Sequence, residues 1–192
     1  SSIPNTGESV LGYRQVIVTV YPQTTGQNIT AFNLQLRHTQ SGLSQYSPSW
    51  LDIAVNCSAI TSLSIGGGIG LTQLQQATIF NHSLTSCASL FQNCRTLQSV
   101  PLFNTAAVTI MSNMFFNCLS LTTVPLFNTA AVTNMSGMFN GCFSLTTVPL
   151  FNTAAVTNMS GMFANCVALT TVPLFNTAAV TNMSSMFNNC IA

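Results

Sequence analysis

The chain has 192 residues, of which only 3% are charged, and its formal net charge is +1. Ordinary soluble domains carry roughly 25% charged residues. So low a charge excludes a nucleic-acid-binding surface and electrostatic steering. No stretch reaches the roughly 18 consecutive apolar residues that a membrane span needs. Threonine, asparagine, serine and glutamine supply the polarity, which favours an extracellular or cell-surface location. The start without Met predicts a mature product whose export signal has been removed.

Residues 1–48 are predicted to form a small N-terminal β module. Residues 13–21 are rich in β-branched side chains and lie between Gly12 and Pro22, which predicts a strand. Residues 29–36 alternate apolar and polar side chains, which predicts a second strand with one buried face. The side chains of these strands that we assign to an assembly surface are Val16, Val18, Val20, Phe32, Leu34 and Leu36.

Residues 49–192 repeat at a period of 24. Clean copies read V-P-L-F-N-T-A-A-V-T-x-M-S-x-M-F and begin at Val100, Val124, Val148 and Val172. Earlier copies are degenerate, as expected for a capping end. A unit this short cannot bury its own core, so the copies must stack. The predicted fold class is an α/β solenoid of the leucine-rich-repeat kind, with about five to six rungs after the N-terminal β module.

Each copy is predicted to contain one short strand and one short helix. Val132, Met135, Met138, Phe139 and Cys142 have the spacing of one helical face, and Asn134 with Thr133 can cap its start. The apolar residues around Pro149, which are Leu145, Val148 and Leu150, are predicted to face inward as a short strand. Because proline cannot donate to a ladder, parallel pairing must be interrupted there in every rung.

Five of the seven cysteines occupy one repeat position, namely Cys94, Cys118, Cys142, Cys166 and Cys190. Stacked strands lie roughly 5 Å apart, which is within the Cα range of a disulfide, so distance alone does not exclude bonding. Equivalent side chains should nevertheless point the same way along an apolar face. We therefore predict a structural ladder of free, buried thiols.

The repeat N-C-x-x-L-T-T-V-P-L-F-N-T…V-T-N-M-S-x-M-F resembles the BspA-like leucine-rich repeats of bacterial surface proteins. It is most similar to their V-T-x-M-x-x-M-F subtype, common in Mycoplasma and other surface lipoproteins, and the resemblance covers residues 51–192. The resemblance implies an exported, curved solenoid that acts in adhesion or surface display. The chain departs from the family in having almost no Lys, Asp or Glu.

Catalysis and metal binding are not predicted. The two histidines, His38 and His82, and the two acidic residues, Glu8 and Asp52, share no short motif. No C-x-x-C and no histidine pair is present, so we assign no catalytic residue, no metal site and no cofactor.

Two repeated polar features suggest further surfaces. N-x-[ST] sequons predict glycosylation sites or, in the repeats, capping residues at Asn28, Asn56, Asn81, Asn134, Asn158 and Asn182. Paired threonines at 122–123, 146–147 and 170–171 form rows that can order water, which raises an ice-binding alternative. The proline in the same segment argues against a flat lattice.

The last copy stops before its next Leu-Thr-Thr-Val-Pro-Leu, which suggests either a piece of a longer array or an uncapped end. Met186, Cys190 and Ile191 are assigned to that end, which a neighbour's N-terminal strand could cover. Such heterologous contacts generate filaments. The preferred function is therefore a non-enzymatic extracellular subunit that forms a head-to-tail homopolymer. The alternative is a monomeric surface adhesin that binds a host protein or glycan.

Overall fold

A computed structural model of the chain describes residues 6–8, 14–15, 31–33, 52–56, 59–65, 74, 76–80 and 82–192. The strands are β1 (Thr6–Glu8), β2 (Arg14–Gln15), β3 (Ala31–Asn33), β4 (Asp52–Asn56), β5 (Ser62–Ser64) and β6 (Gln76–Phe80). Strand β1 pairs antiparallel with β2, whereas β3 pairs parallel with β5 and β4 parallel with β6. Strand β2 lies within the first predicted strand and β3 within the second. The domain boundary at residue 48 stays a prediction.

The repeats stack through a ladder of parallel backbone pairings. Ala31 of β3 is in register with Ser62 of β5, and single-residue bridges continue the series. We call this series the bridge ladder, and we name each 24-residue rung of the solenoid after its residue in it. Its members are Ala31, Ser62, Ser86, Ile110, Asn134, Asn158 and Asn182. Because each rung repeats the one before, the same hydrogen bonds recur along the array.

The predicted short helix of each rung is wrong, because consecutive four-residue turns occupy its place. Residues 135–138 and 139–142 are two such turns, closed by Met138 N–H to Met135 O at 3.2 Å and by Cys142 N–H to Phe139 O at 3.0 Å. The third residue of each turn, Gly137 or Gly141, has a positive φ. The described residues contain no helix, and so none that could cross a bilayer.

The backbone N–H groups of alternate residues in these turns explain why a helix does not form. Met135, Gly137 and Phe139 donate to carbonyl groups of the following rung at 2.8–2.9 Å. In a helix these donors would be used within the segment. Here they hold neighbouring rungs together, so the stacking of rungs replaces the internal bonding of a helix.

Proline residues determine at which repeat position the chain no longer forms a strand. Strands β4 and β6 are offset by 24 residues, and β6 occupies the repeat position that Val100–Asn104 occupies in the next rung. Pro101 and its repeats lack an N–H, and no strand is found at that position in the clean copies, all of which are described. The interruption that the prolines predict is therefore observed.

The leucine after each of these prolines faces solvent, contrary to the inward orientation predicted for it. Leu150 is 60% exposed, whereas the next residue, Phe151, is 2% exposed. The chain alternates from this point, because Asn152 is exposed and Thr153 is buried. Phenylalanine has more apolar surface to remove from water than leucine, so placing its ring inward stabilises the fold more.

The core consists of columns of identical side chains. Phe115, Phe139 and Phe163 are fully buried and stack at ring-centroid distances of 5.6 Å with interplanar angles of 3° and 6°. Methionine and leucine columns flank them, and Phe127 and Phe151 lie beside the stack. Identical phenylalanine rings therefore pack on one another from Phe91 to Phe187.

Candidate interaction surfaces

Ionisable side chains are scarce in the described part of the chain. His82 Nδ1 accepts a hydrogen bond from Leu84 N–H at 3.2 Å, and burial lowers the pKa of this histidine, which favours the neutral ring. Arg95 is exposed. No group of three metal-ligating side chains occurs among the residues described. Glu8 lies in β1 and Asp52 in β4, and the structure describes only the backbone of these two residues, while His38 lies outside the described residues.

The five cysteines of the predicted ladder form one row. Each of the last four Sγ–H groups donates to the carbonyl of a phenylalanine in the preceding rung, for example Cys142 to Phe115 O at 3.2 Å and Cys166 to Phe139 O at 3.0 Å. All the described cysteines are free thiols. Burial raises the pKa of Cys166 to about 12, so its thiol stays protonated and donates. The row serves rung-to-rung bonding.

The repeated sequons lie in backbone-bound turns. Asn134 Oδ1 accepts from Ser136 N–H at 2.9 Å, and Asn158 and Asn182 do the same in their rungs. These bonds give the asparagines a structural role as turn-forming residues. Asn56 lies in β4 and only its backbone is described, and Asn28 and Asn81 lie outside the described residues. Glycosylation stays a prediction.

Two polar side-chain rows that sequence reasoning missed tie the rungs together. Thr129 is 1% exposed, and its Oγ1 donates to Asn152 O of the next rung at 2.8 Å. Asn165 Nδ2 donates to Asn140 Oδ1 at 3.1 Å, and Asn189 Nδ2 donates to Asn165 Oδ1 at 3.0 Å. The signal was the recurrence of Thr at one repeat position and of Asn, except at Gly141, at another. A side chain with both donor and acceptor atoms can bond to its own repeat.

The Asn182 rung exposes groups that every earlier described clean copy buries. Met183 is 48% and Phe187 46% exposed, whereas the equivalent Met159 and Phe163 are fully buried. The N–H groups of Met183, Ser185, Phe187 and Asn189 repeat those that bind the next rung elsewhere, and no described residue accepts from them. This side of the rung therefore presents the same donors and apolar groups that stack rungs internally.

The residues predicted for assembly are only partly placed by the structure. Met186 is 7% exposed and Ile191 79% exposed, while Cys190 is partly buried, with its Sγ–H donating to Phe163 O at 3.0 Å. Phe32 belongs to β3, where only the backbone is described. The others, Val16, Val18, Val20, Leu34 and Leu36, lie outside the described residues. Met186 thus contributes to the core, and Ile191 to the exposed surface.

An exposed leucine row runs along the side of the solenoid. It consists of Leu102, Leu126, Leu150 and Leu174, which are 64%, 59%, 60% and 97% exposed. An exposed pair of threonines precedes Leu126, Leu150 and Leu174, whereas the exposed Gln98 and Ser99 precede Leu102. An exposed asparagine follows each leucine two residues later. This is a repeated neutral surface with an apolar centre.

A model of the family described as "Mycoplasma protein of unknown function, DUF285" matches residues 85–192. No curated protein matches the chain. Among solved structures, a leucine-rich repeat protein from Eubacterium ventriosum is 20% identical, with a TM-score of 0.50, and the match covers 72% of this chain and 42% of that one. A leucine rich cell surface protein from Faecalibacterium prausnitzii is 20% identical, with a TM-score of 0.37, over 74% of this chain and 40% of that one.

The Eubacterium structure supports the leucine-rich-repeat solenoid predicted from the sequence, at the level of the fold. The specific repeat subtype stays a prediction. The chain spans less than half the length of both solved relatives.

Proposed function

The chain belongs to the family described as "Mycoplasma protein of unknown function, DUF285", and we propose that it is a non-enzymatic, extracellular structural subunit that assembles head to tail. The observation that carries this proposal is that near-identical rungs bind one another through the same backbone hydrogen bonds. Met159, Gly161 and Phe163 donate to the following rung just as their equivalents in the preceding copy do. A rung supplied by another molecule presents the same donors and acceptors.

The charge distribution supports both the assembly of copies and the extracellular location. Residues 96–192 contain no Asp, Glu, Lys or Arg, so like surfaces meet without repulsion. The exposed polar side chains are threonine, asparagine and serine, whose hydration changes little with pH or salt, as suits an extracellular surface.

Size measurement tests the proposal directly. The purified 192-residue chain is passed over a size-exclusion column with light-scattering detection and imaged by negative stain. Elongated particles of many subunits are expected, and their number should rise with concentration. A monodisperse monomer of 20.4 kDa at every concentration contradicts self-assembly.

The exposed leucine row favours a second candidate, a monomeric surface adhesin or display domain for a host protein or glycan. Binding would be measured on a glycan array and on immobilised extracellular-matrix proteins. Leu126→Lys and Leu150→Lys should abolish any binding, whereas Ala178→Lys, at an exposed residue that is not part of the row, should leave it unchanged. The ice-binding alternative stays a prediction, and thermal hysteresis of the purified chain checks it.

A further inference from the structure

A second row of exposed side chains runs beside the exposed leucine row, and we call it the donor row. Its members in three consecutive rungs are Asn104, Asn128 and Asn152. In each rung the asparagine follows the exposed leucine by two residues, and the residue between them is a buried phenylalanine. Because burial alternates from residue to residue here, the leucine row and the donor row lie on the same, solvent-facing side.

Each amide of the donor row is held in one orientation. Asn128 Oδ1 accepts from Ala130 N–H at 3.2 Å, and the equivalent bonds of Asn104 and Asn152 measure 3.1 Å. The backbone is held as well, because Asn128 O accepts from Thr105 Oγ1–H of the preceding rung at 2.9 Å. The Nδ2 group, with its two N–H donors, is then the part that each exposed amide offers to a ligand, and no described residue accepts from it.

The spacing of the rungs decides which ligand can follow both rows. Phe103 and Phe127, which lie between the leucine and the asparagine of their rungs, have ring centroids 5.3 Å apart. One pyranose unit adds a closely similar length to an extended β-1,4-linked glycan, and each unit carries oxygen acceptors and apolar C–H groups. An extended peptide presents the same side every two residues, or about 6.6 Å, so it would lose register by about 1.3 Å at each rung.

The absence of charge favours a neutral glycan over an acidic one. Residues 96–192 contain no charged side chain, so this face has hydrogen-bond donors but none of the cations that bind sulfate, carboxylate or phosphate groups strongly. Hydroxyl and acetamide oxygens of a neutral sugar accept from amide N–H groups. The leucine side chains pack against the apolar C–H groups of the same sugar and remove them from water.

We propose that the leucine row and the donor row together bind a neutral, β-1,4-linked glycan chain that lies along the array with one sugar unit on each rung. Each unit packs on a leucine and accepts a hydrogen bond from Nδ2 of the asparagine two residues later. This inference rests on the second candidate function, a surface domain that binds a host protein or glycan, and it specifies the glycan and its site. It does not depend on self-assembly.

Titration calorimetry of the 192-residue chain with oligosaccharides of different linkage tests the proposal. Cellotetraose and chitotetraose, which are β-1,4-linked, should bind. Maltotetraose, the α-1,4-linked isomer of cellotetraose, coils away from a straight row and should bind at least about tenfold more weakly. From cellobiose to cellotetraose the affinity should rise at least about fivefold, because each added unit gains one hydrogen bond and one leucine contact.

The substitution Asn128→Asp isolates the donor. Aspartate keeps an oxygen that accepts from Ala130 N–H but lacks Nδ2, so the affinity for cellotetraose should fall about two- to tenfold. Asn134→Asp is the matched control. Asn134 Oδ1 accepts from Ser136 N–H at 2.9 Å in the same way, but the residue lies beyond the turn at residues 130–131 and outside the donor row. Its substitution should leave the affinity unchanged, and circular dichroism checks the fold of both variants.

Equal losses of affinity in N128D and N134D, or equal binding of cellotetraose and maltotetraose, overturn the inference. If neither β-1,4-linked tetrasaccharide binds while other glycans of the array do, the inference fails and the second candidate function stands. If no glycan and no matrix protein binds, both fail. Self-assembly is decided separately by the size measurement.

Discussion

Two glycines at the same repeat position allow a sharp test of rung packing. Gly137 and Gly161 have φ values of +60° and +59° and are each the third residue of a turn. A Cβ added at Gly137 would overlap Oδ1 of Asn113 in the preceding rung. At Gly161 the nearest atom is Asn140 Nδ2 at 3.7 Å, an ordinary contact. The substitutions G137A and G161A therefore share the backbone strain and differ in one clash.

The expected losses of unfolding free energy follow from the backbone strain and from the clash. An alanine in the left-handed region costs about 1–2 kcal/mol relative to glycine, and this cost is common to both variants. At Gly137 the Asn113 side chain must also leave its preferred rotamer, which costs about 0.5–1.5 kcal/mol more. G137A should therefore lose about 1 kcal/mol of unfolding free energy beyond the loss of G161A.

Urea unfolding followed by circular dichroism measures both losses, and a double-mutant cycle isolates the clash. Adding N113A to G137A removes the obstructing amide, so the extra loss of about 1 kcal/mol should disappear in that background. Adding N113A to G161A should change nothing beyond the effect of N113A itself. Equal losses in G137A and G161A, or a cycle without coupling, would refute the assignment of Asn113 as the contact.

Three further outcomes are expected. Phe139→Ala should lose about 3–5 kcal/mol because a fully buried, doubly stacked ring is removed, whereas Phe187→Ala, at a ring 46% exposed, should lose less than half of that in the same urea titration. Burial raises the pKa of the core thiols, three of them from 9.0 to about 12, so the unfolded chain ionises first. Their contribution to stability is complete below pH 9 and is lost as the pH rises toward 12, which pH-dependent unfolding checks, with a slope of up to about 1.4 kcal/mol per pH unit and thiol. Thr133→Lys alone should be tolerated. Combined with Thr109→Lys and Thr157→Lys, it should lower the unfolding free energy by about 1 kcal/mol per adjacent lysine pair beyond the sum of the three single losses. Because this excess is repulsion between exposed charges, 1 M salt should remove it.

The sequence predicts the solenoid and its period, but the apolar spacing does not predict the conformation within a rung. Met135, Met138, Phe139 and Cys142 are the first and last residues of two successive four-residue turns, and these positions coincide with one helical face. Apolar spacing alone cannot distinguish the two conformations. The residues between them do carry a signal, because the third position of each turn is Gly, Asn or Ser in every rung.

The contacts between rungs were less predictable than the rungs themselves. Gly141 interrupts the asparagine row at the position that Asn117 and Asn165 occupy, and a strict 24-residue period predicts a gap there. In the structure Asn140, one residue earlier, takes the place of the missing partner of Asn165 and accepts from Asn165 Nδ2. Such a substitution depends on side-chain reach across rungs, and periodicity contains no information about it.

The lack of charge follows from the identity of the rungs. When copies are nearly identical and stack in register, each side chain faces its own kind at about 4.8 Å. A repeated lysine or glutamate would then meet like charges above and below, at a cost of about 1 kcal/mol per pair even in water. Asparagine and threonine contain both a donor and an acceptor, so each can bond to its own repeat, as Asn189 does to Asn165.

Phenylalanine is also compatible with its own repeat, because its rings stack, as Phe139 does on Phe163. The one charged side chain among residues 82–192 is Arg95, at the position that Leu119, Phe143, Val167 and Ile191 occupy in later copies. That position is not repeated identically, so the arginine meets no copy of itself. The array therefore selects uncharged, self-complementary side chains at each position that repeats identically.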